Sequence, residues 1–407
     1  MLALALLFVV WRPGGMPEAV APTIAALLLL LFGIEPFGAV WRILALTGDA
    51  LATLIGLMVL SQVLDRAGFF RWCAWRVAAL SRHHGGRAWW GLMLLACLVT
   101  AVLANDGAML MLVPLYAEML KAARLERAQL LAFLMPLGFL IDIASTPLVT
   151  SNLTNIMLAD AAHLSFWGYA QILAPTSAVL IGSSLLVLWG VYRRAVPSDL
   201  VLGDAPPELD RVVFVAGWAA IAALVVGVSV AHLFGWPIGA VVDAVALALL
   251  LLALGAGHLA PSELPRMAPW SIVVFAVALF TIVDAVARTG GSALLASGLH
   301  DVPSAHVPLV LGAVLGVAAN LLNNLPALFW GLLSLPPAHW RPEAIACTLV
   351  AVNVASKLLP YGSLSTLLWL KLLADKGIRI GWGEYLRTSL WLMPPIVVLG
   401  VWAALHG

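Results

Sequence analysis

Apolar runs long enough to approach membrane-span length alternate with short polar breaks along nearly the whole chain. The densest break is 142–155, Asp-Ile-Ala-Ser-Thr-Pro-Leu-Val-Thr-Ser-Asn-Leu-Thr-Asn, which follows an apolar run over 130–141. A helix in lipid satisfies its own backbone, and hydrocarbon offers no other partners. A polar, Pro-containing interruption is tolerated at that depth only where protein packs around it or it lines a cavity, as in the discontinuous helices of secondary transporters. A surface loop between two short helices is the alternative, but the apolar flanks are too short to span separately.

The same pattern predicts spans at about 1–12, 17–34 and 49–64, then an arm over 69–87 that mixes Arg71, Arg76, Arg82 and Arg87 with tryptophans. That mix suits a helix lying at the membrane interface. Two apolar runs, 88–104 and 108–120, flank Asn105-Asp106-Gly107. Asn, Asp and Gly are turn residues, which favours a re-entrant hairpin (88–120) over two ordinary spans. A broken helix (128–160) and a span at 167–192 complete the first half. The linker 194–210 carries Pro197, Pro206 and Pro207. The second half, 211–407, repeats the order. Spans are expected at about 211–234, 237–258 and 268–288, then an arm, a hairpin (304–335), a broken helix (342–376) and a last span at 384–405.

Composition agrees. Of 407 residues 63% are hydrophobic and only 10% charged, against roughly 25% charged in soluble domains. The chain reads as all-α and polytopic, with about ten transmembrane helices, two re-entrant hairpins and two broken helices. Nothing in it suggests nucleic-acid binding. No phosphate-binding loop stands out, so the chain is not expected to hydrolyse ATP, and no cofactor is expected. Residues 1–10 are apolar without a basic leader, which argues against a signal peptide.

Charge distribution sets the sidedness. With five spans per half, the second half is inverted relative to the first. Placing the Arg-rich arm in the cytoplasm puts seventeen Lys and Arg inside and only Arg42, Arg288 and Arg341 outside, with Lys357 in the membrane. That is a strong positive-inside bias. It predicts a multi-pass protein of the cell (inner) membrane with both termini extracytoplasmic.

The halves also match in residues. Asn105-Asp106 answers Asn323-Asn324, and Asp142-x-x-Ser145-Thr146 answers Asn353-x-x-Ser356-Lys357, at offsets of 218 and 211 residues. Inverted repeats of this kind usually build a midplane site from half-helix ends.

Ionisable groups deep in a membrane are functional candidates. Asp142 and Lys357 occupy near-equivalent places in the two breaks. A carboxylate in low dielectric keeps its proton unless a cation stands close, so a pair that separates and re-forms can bind and release one. A permanent salt bridge tying the repeats together is the competing role. Lys357 also occupies space that a sodium ion would need, which favours protons. Asp106 is the second acid candidate, or else a helix cap. Asn105, Gly107, Ser145, Thr146, Ser151, Asn152, Asn323, Asn324, Asn353, Ser356, Gly362 and Ser363 complete a candidate lining of neutral donors and acceptors. Such a lining suits a small polar, uncharged solute. Free N–H groups of half-helices attract anions, so a small oxyanion or carboxylate competes.

Cys73, Cys97 and Cys347 are scattered, and no zinc or disulfide framework is expected. Asp243 and Asp284 fall near span ends and read as interfacial or paired. The 17 tryptophans read largely as interface anchors.

These motifs resemble those of the arsenite efflux membrane protein (ArsB) family, in the ion transporter superfamily. The family's F-A-N-D-G-A is similar to Leu103-Ala-Asn-Asp-Gly-Ala108, and its D-x-A-S-x-P-L-x-x-S-N-L-x-N is matched throughout 142–155. M-N-N-M-P resembles Leu322-Asn-Asn-Leu-Pro326; A-P-W occurs at 268–270, and G-S-L-x-T-L-L-W-L at 362–370. The likeness covers nearly the whole chain. It departs in the second break, where the family pattern is D-x-G-P-K-x-T-P-x-G-S. Asn353 replaces the acid, Ala355-Ser356 replaces Gly-Pro, and Leu359 replaces Thr. More weight therefore falls on Asp142 and Asp106.

The resemblance implies export of trivalent arsenic and antimony as neutral arsenite and antimonite in exchange for protons. It also implies motion of a bundle against a scaffold and, in some members, a soluble ATPase partner. A homodimer stays open. So does the alternative of a sodium- or proton-coupled carrier of another small anion, such as a dicarboxylate.

Overall fold

The structure, a computed structural model, describes residues 16–203 and 206–407. The expected first span at 1–12 and the expected extracytoplasmic N-terminus lie outside the described residues. Every described regular element is helical, apart from one isolated bridge between His84 and Asp199. Eight helices are long and apolar enough to cross a membrane, among the described residues.

The first half runs α1 (Val20–Leu31), α2 (Gly38–Arg66), α3 (Phe69–Ser81), α4 (Gly85–Val102), α5 (Asn105–Ala122), α6 (Arg127–Ala144), α7 (Leu153–Ala161) and α8 (Phe166–Tyr192). The second runs α9 (Arg211–Val230), α10 (Ile238–Gly255), α11 (Trp270–Val286), α12 (Ser292–His300), α13 (Val307–Leu322), α14 (Asn324–Ser334), α15 (Pro342–Leu349), α16 (Leu364–Asp375) and α17 (Trp382–His406). In both halves a helix pair with a tight connection precedes an interrupted helix and then a long one.

Three boundaries differ from the sequence reading. Helix α2 begins at Gly38, not near 49, and carries Arg42 and Asp49 inside it. It tolerates Asp49 because Gly239 of α10 offers no Cβ there; an added one would lie 2.5 Å from Asp49 Oδ1. The arm helix α3 stops at Ser81, where Arg82 and His83 both take positive φ. The first connection is Leu103-Ala104, both extended, so Asn105-Asp106-Gly107 form the opening turn of α5 rather than the turn before it. An acid in a first helical turn sits favourably against the free N–H groups and the macrodipole.

Both expected breaks are present. Between α6 and α7 the chain leaves the α-helix over 145–152, with a short 3-10 turn at Val149–Ser151. After α15 it passes through a π-turn at Val350–Val354 and a 3-10 turn at Ala355–Leu358 before α16. Asn152 caps α7, its Oδ1 accepting from Thr154 N at 3.2 Å. Asn323 stands at φ 84°, ψ 154°, a conformation that usually belongs to glycine. Its side chain holds it there, donating to Tyr361 O at 3.1 Å and accepting from Leu325 N at 3.4 Å.

The halves interlock. Helix α2 packs on α10, α8 on α17, α5 on α16 and α7 on α14. One end of the bundle is tied by Arg66–Glu263, Arg127–Glu384 and Lys376–Glu118 ion pairs. The opposite end of α2 carries Arg42, which pairs with Asp284, and Arg288 joins buried Glu35 there at 3.1 Å. Asp284 is thus paired, as its sequence position suggests. The inter-half linker runs along α3: Leu200 N donates to His83 O at 2.7 Å, and Gly85 N to Ser198 O at 3.1 Å.

The α2–α10 crossing depends on close approach at Gly56, where a Cβ would lie 2.2 Å from Asp243 Oδ1. Gly56→Val is expected to cost about 1–3 kcal/mol through overpacking, read as a lowered unfolding temperature of the purified protein. Gly182→Val, at a position with open space around it, should leave that temperature unchanged.

Candidate functional site

The two breaks meet at a buried ion pair. Lys357 Nζ stands 2.8 Å from Asp142 Oδ2, with the two side chains 1% and 2% exposed. The ammonium donates to two further acceptors, Gly138 O at 2.8 Å and Thr366 Oγ1 at 2.9 Å. Its three donors are therefore all used. Gly138 belongs to α6 and Thr366 to α16, so one lysine joins both interrupted helices.

Asp142 is equally committed. Its Oδ1 accepts from Asn105 Nδ2 at 2.8 Å and its Oδ2 from Ser363 Oγ at 2.8 Å. Asn105 Nδ2 also donates to Ser365 Oγ at 3.0 Å, and Ser365 donates to Asp106 Oδ1 at 2.7 Å. A continuous chain of hydrogen bonds thus runs Lys357, Asp142, Asn105, Ser365, Asp106. It draws on the start of α5, the end of α6 and the start of α16. Asp106 is 7% exposed and has no cation within ion-pair distance among the described residues.

Other candidates form separate groups. Asn353 donates to Asn155 Oδ1 at 2.8 Å and accepts from Thr154 Oγ1 at 2.7 Å, tying the second break to α7. Ser145 and Thr146 bond back to carbonyls of their own turn, Asp142 O and Ile143 O. Asn152 donates to Ser145 Oγ at 3.2 Å, and Ser151 to Ala101 O at 2.6 Å. Asn323 reaches Tyr361 O, while Asn324 N donates to Gly362 O at 2.9 Å. Gly107 packs against Ser61 of α2. Gly362 has no room for a side chain: its Cβ would lie 2.1 Å from Ser356 O.

Three buried polar atoms around this region have no partner: Asn105 Oδ1, Asn324 Oδ1 and Ser356 Oγ. All three residues border the segment Gly362–Ser365, through Asn105–Ser365, Asn324–Gly362 and the Ser356–Gly362 contact. An unmet buried polar atom costs about 1–3 kcal/mol. These atoms are spare hydrogen-bonding capacity beside the ion pair.

Ser365, Thr366 and the Gly138 carbonyl escaped the sequence reading. The two hydroxyls carried a signal, since both interrupt the apolar run 364–370. The Gly138 carbonyl carried none. Cys73, Cys97 and Cys347 lie on three different helices as free thiols.

Comparison with known proteins gives the following likenesses. A family described as arsenical pump membrane protein (ArsB) matches residues 1–405. The arsenical pump membrane protein of Escherichia coli (strain K12) is 31% identical over 406 residues, covering 97% of this chain and 94% of its own. That of Yersinia enterocolitica is 32% identical over the same shares. The crystal structure of the YdaH transporter from Alcanivorax borkumensis superposes with a TM-score of 0.51 at 14% identity, covering 99% of this chain and 97% of that one. The last likeness concerns the fold.

Removing one partner from a buried ion pair costs about 3–5 kcal/mol, because the other charge is left uncompensated. Lys357→Met should therefore lower stability by about that amount. Adding Asp142→Asn should recover part of the loss, so that the double variant is less destabilised than the sum of the singles. Thermal unfolding of the four proteins in one detergent measures the coupling.

Proposed function

Because the chain belongs to the arsenical pump membrane protein family, we propose that it exports trivalent arsenic and antimony as neutral trihydroxides, in exchange for protons. The protein is a membrane transporter of that family, not an enzyme. What we add is the coupling ion, the form of the cargo and the residues that handle each.

The observation that carries the reading is the charge count of the cluster: two buried carboxylates and one buried ammonium. Asp142 and Lys357 neutralise each other. Asp106 is a further acid in hydrogen-bond communication with them through Ser365 and Asn105. A proton is the smallest species that can balance it. The cargo reading is supported by Asn105, Asn324 and Ser356, whose spare amide and hydroxyl atoms match a small solute that both donates and accepts. Because the Lys357 ammonium is already saturated, it has little to offer a carboxylate or oxyanion cargo.

The repeated order of elements supports two inverted repeats, 1–193 and 211–407, around the linker 194–210. On that reading the pairs α4–α5 and α13–α14 are the two hairpins. Asn323 and Asn324 bond to Tyr361 and Gly362, and Asn105 and Asp106 bond to Ser365.

Everted membrane vesicles test the coupling. Arsenite accumulation should follow an imposed pH gradient without ATP. Accumulation that requires sodium, or uptake of a dicarboxylate instead, would sink the reading. Asp142→Asn keeps the side chain's shape and should abolish gradient-driven accumulation; because it also leaves the Lys357 charge uncompensated, the comparison is made between vesicles matched for folded protein. Full retained coupling in that variant would remove Asp142 from the proton path.

A further inference from the structure

A cavity of about 580 Å³ lies between α2, α5, α11 and α16, outside the cluster described above. The lining residues farthest from its charged end include Met58, Leu110, Phe275 and Leu364. Leu364 sits between Ser363 and Ser365, and Leu110 is one helical turn beyond Asp106. Met58 is on the stretch of α2 whose Ser61 touches Gly107. The apolar lining at Leu364 and Leu110 is therefore next in the chain to, or one helical turn away from, residues of the ion-pair network.

Polarity rises outward along three of its four walls. On α16 the lining passes from Leu364 to Lys371, seven residues on, which is about 10 Å of helix. On α2 it passes from Met58 to Gln62, and on the α11 side from Phe275 through Ser271 to Arg266. All three walls run toward the end of the bundle held by the Arg66–Glu263 and Lys376–Glu118 pairs. That is the end to which the distribution of basic residues assigns the cytoplasm.

We propose that this cavity is the cytoplasmic vestibule of the transport path, with Met58, Leu110 and Leu364 forming the apolar gate that separates it from the cluster. Its cargo, a small neutral polyhydroxylated solute, rests on the function proposed above; its sidedness does not. A mouth lined by Gln62, Arg266, Ser271 and Lys371 admits the solute with its water. The apolar gate holds water away from the ion pair until the wall beside α16 moves. Helix α16 is the natural moving part, because it carries Leu364 of the gate and the hydroxyls of Ser365 and Thr366 that bind Asp106 and Lys357, and Ser363, which binds Asp142, immediately precedes it.

The test uses the full-length protein with Cys73, Cys97 and Cys347 replaced by Ala, and single cysteines placed as Met111→Cys or Leu368→Cys on the half-buried wall. A charged, membrane-impermeant methanethiosulfonate is applied to everted or to right-side-out vesicles. Reaction is expected in everted vesicles only, with loss of most arsenite uptake relative to the same variant left unmodified. Two positions on different helices guard against one variant failing to fold. Complete modification without loss of uptake, or reaction only from the outer face, would overturn the vestibule. Unmodified variants that carry no arsenite would count against the transport reading, while side-specific labelling would still decide where the cavity opens.

Discussion

Everything at the centre of this protein depends on keeping one lysine charged inside a membrane. Bringing an ammonium and a carboxylate out of water costs several kcal/mol per ion, and their attraction offsets this only with good geometry and saturated hydrogen bonds. Lys357 and Asp142 meet both conditions: the ammonium has three acceptors and the carboxylate three donors. Two of the lysine's acceptors come from within helices, the Gly138 carbonyl of α6 and the Thr366 hydroxyl of α16, while Lys357 itself and Ser363 stand in the interrupted segment between α15 and α16. Interrupting the helix after α15 lets Lys357 and Ser363 both reach Asp142 near the end of α6.

A break creates its own cost, because it frees backbone groups that lipid cannot satisfy. Long side chains from neighbouring helices close these positions. Asn155 Nδ2 donates to Ser145 O and Leu148 O, and Asn320 bonds Ala355 O and Leu359 N. Tyr169, Tyr385 and Ser389 hydroxyls donate to Thr146, Lys357 and Leu358 carbonyls. Asn353 instead bonds two side chains of α7. It donates to one amide oxygen and accepts from one hydroxyl, a dual role that a carboxylate cannot fill. The residue that replaces the family's second acid therefore serves as a structural tie between the breaks.

The breaks, their flanking helices and the ionisable pair were legible from the sequence because each is an offence against a simple pattern. Asp142, Pro147 and Lys357 stand out in apolar surroundings that penalise them. The length of α2 was not legible, since Gly48-Asp49 looks like a boundary until Gly239 of α10 is known to face it. Tyr169 and Tyr385 were hidden for a similar reason: each reaches a carbonyl in a different element, and nothing local marks a tyrosine that does so. The spread of the candidate lining into separate groups also lay beyond the sequence. Residue type shows that Ser151 can hydrogen-bond, but not that it bonds to Ala101 O.

The inequality of the two halves bears on how a neutral cargo could be coupled to a proton. In a symmetric site, two acids facing two acids would leave several groups free to change charge. Here the second half contributes a cation and an amide, and the first contributes both acids. Separating Asp142 from Lys357 strands two ions at once, whereas ionising Asp106, which has no cation within ion-pair distance among the described residues, strands one. Ser365, which joins Asp106 to the pair, lies on the same helix as the gate residue Leu364 and the lysine's partner Thr366. A displacement of α16 large enough to open the gate would therefore also strip Asp106 of its donor, Asp142 of Ser363 and Lys357 of Thr366. Gate and charge cluster cannot move independently, and that mechanical link is what coupling between a solute and a proton requires.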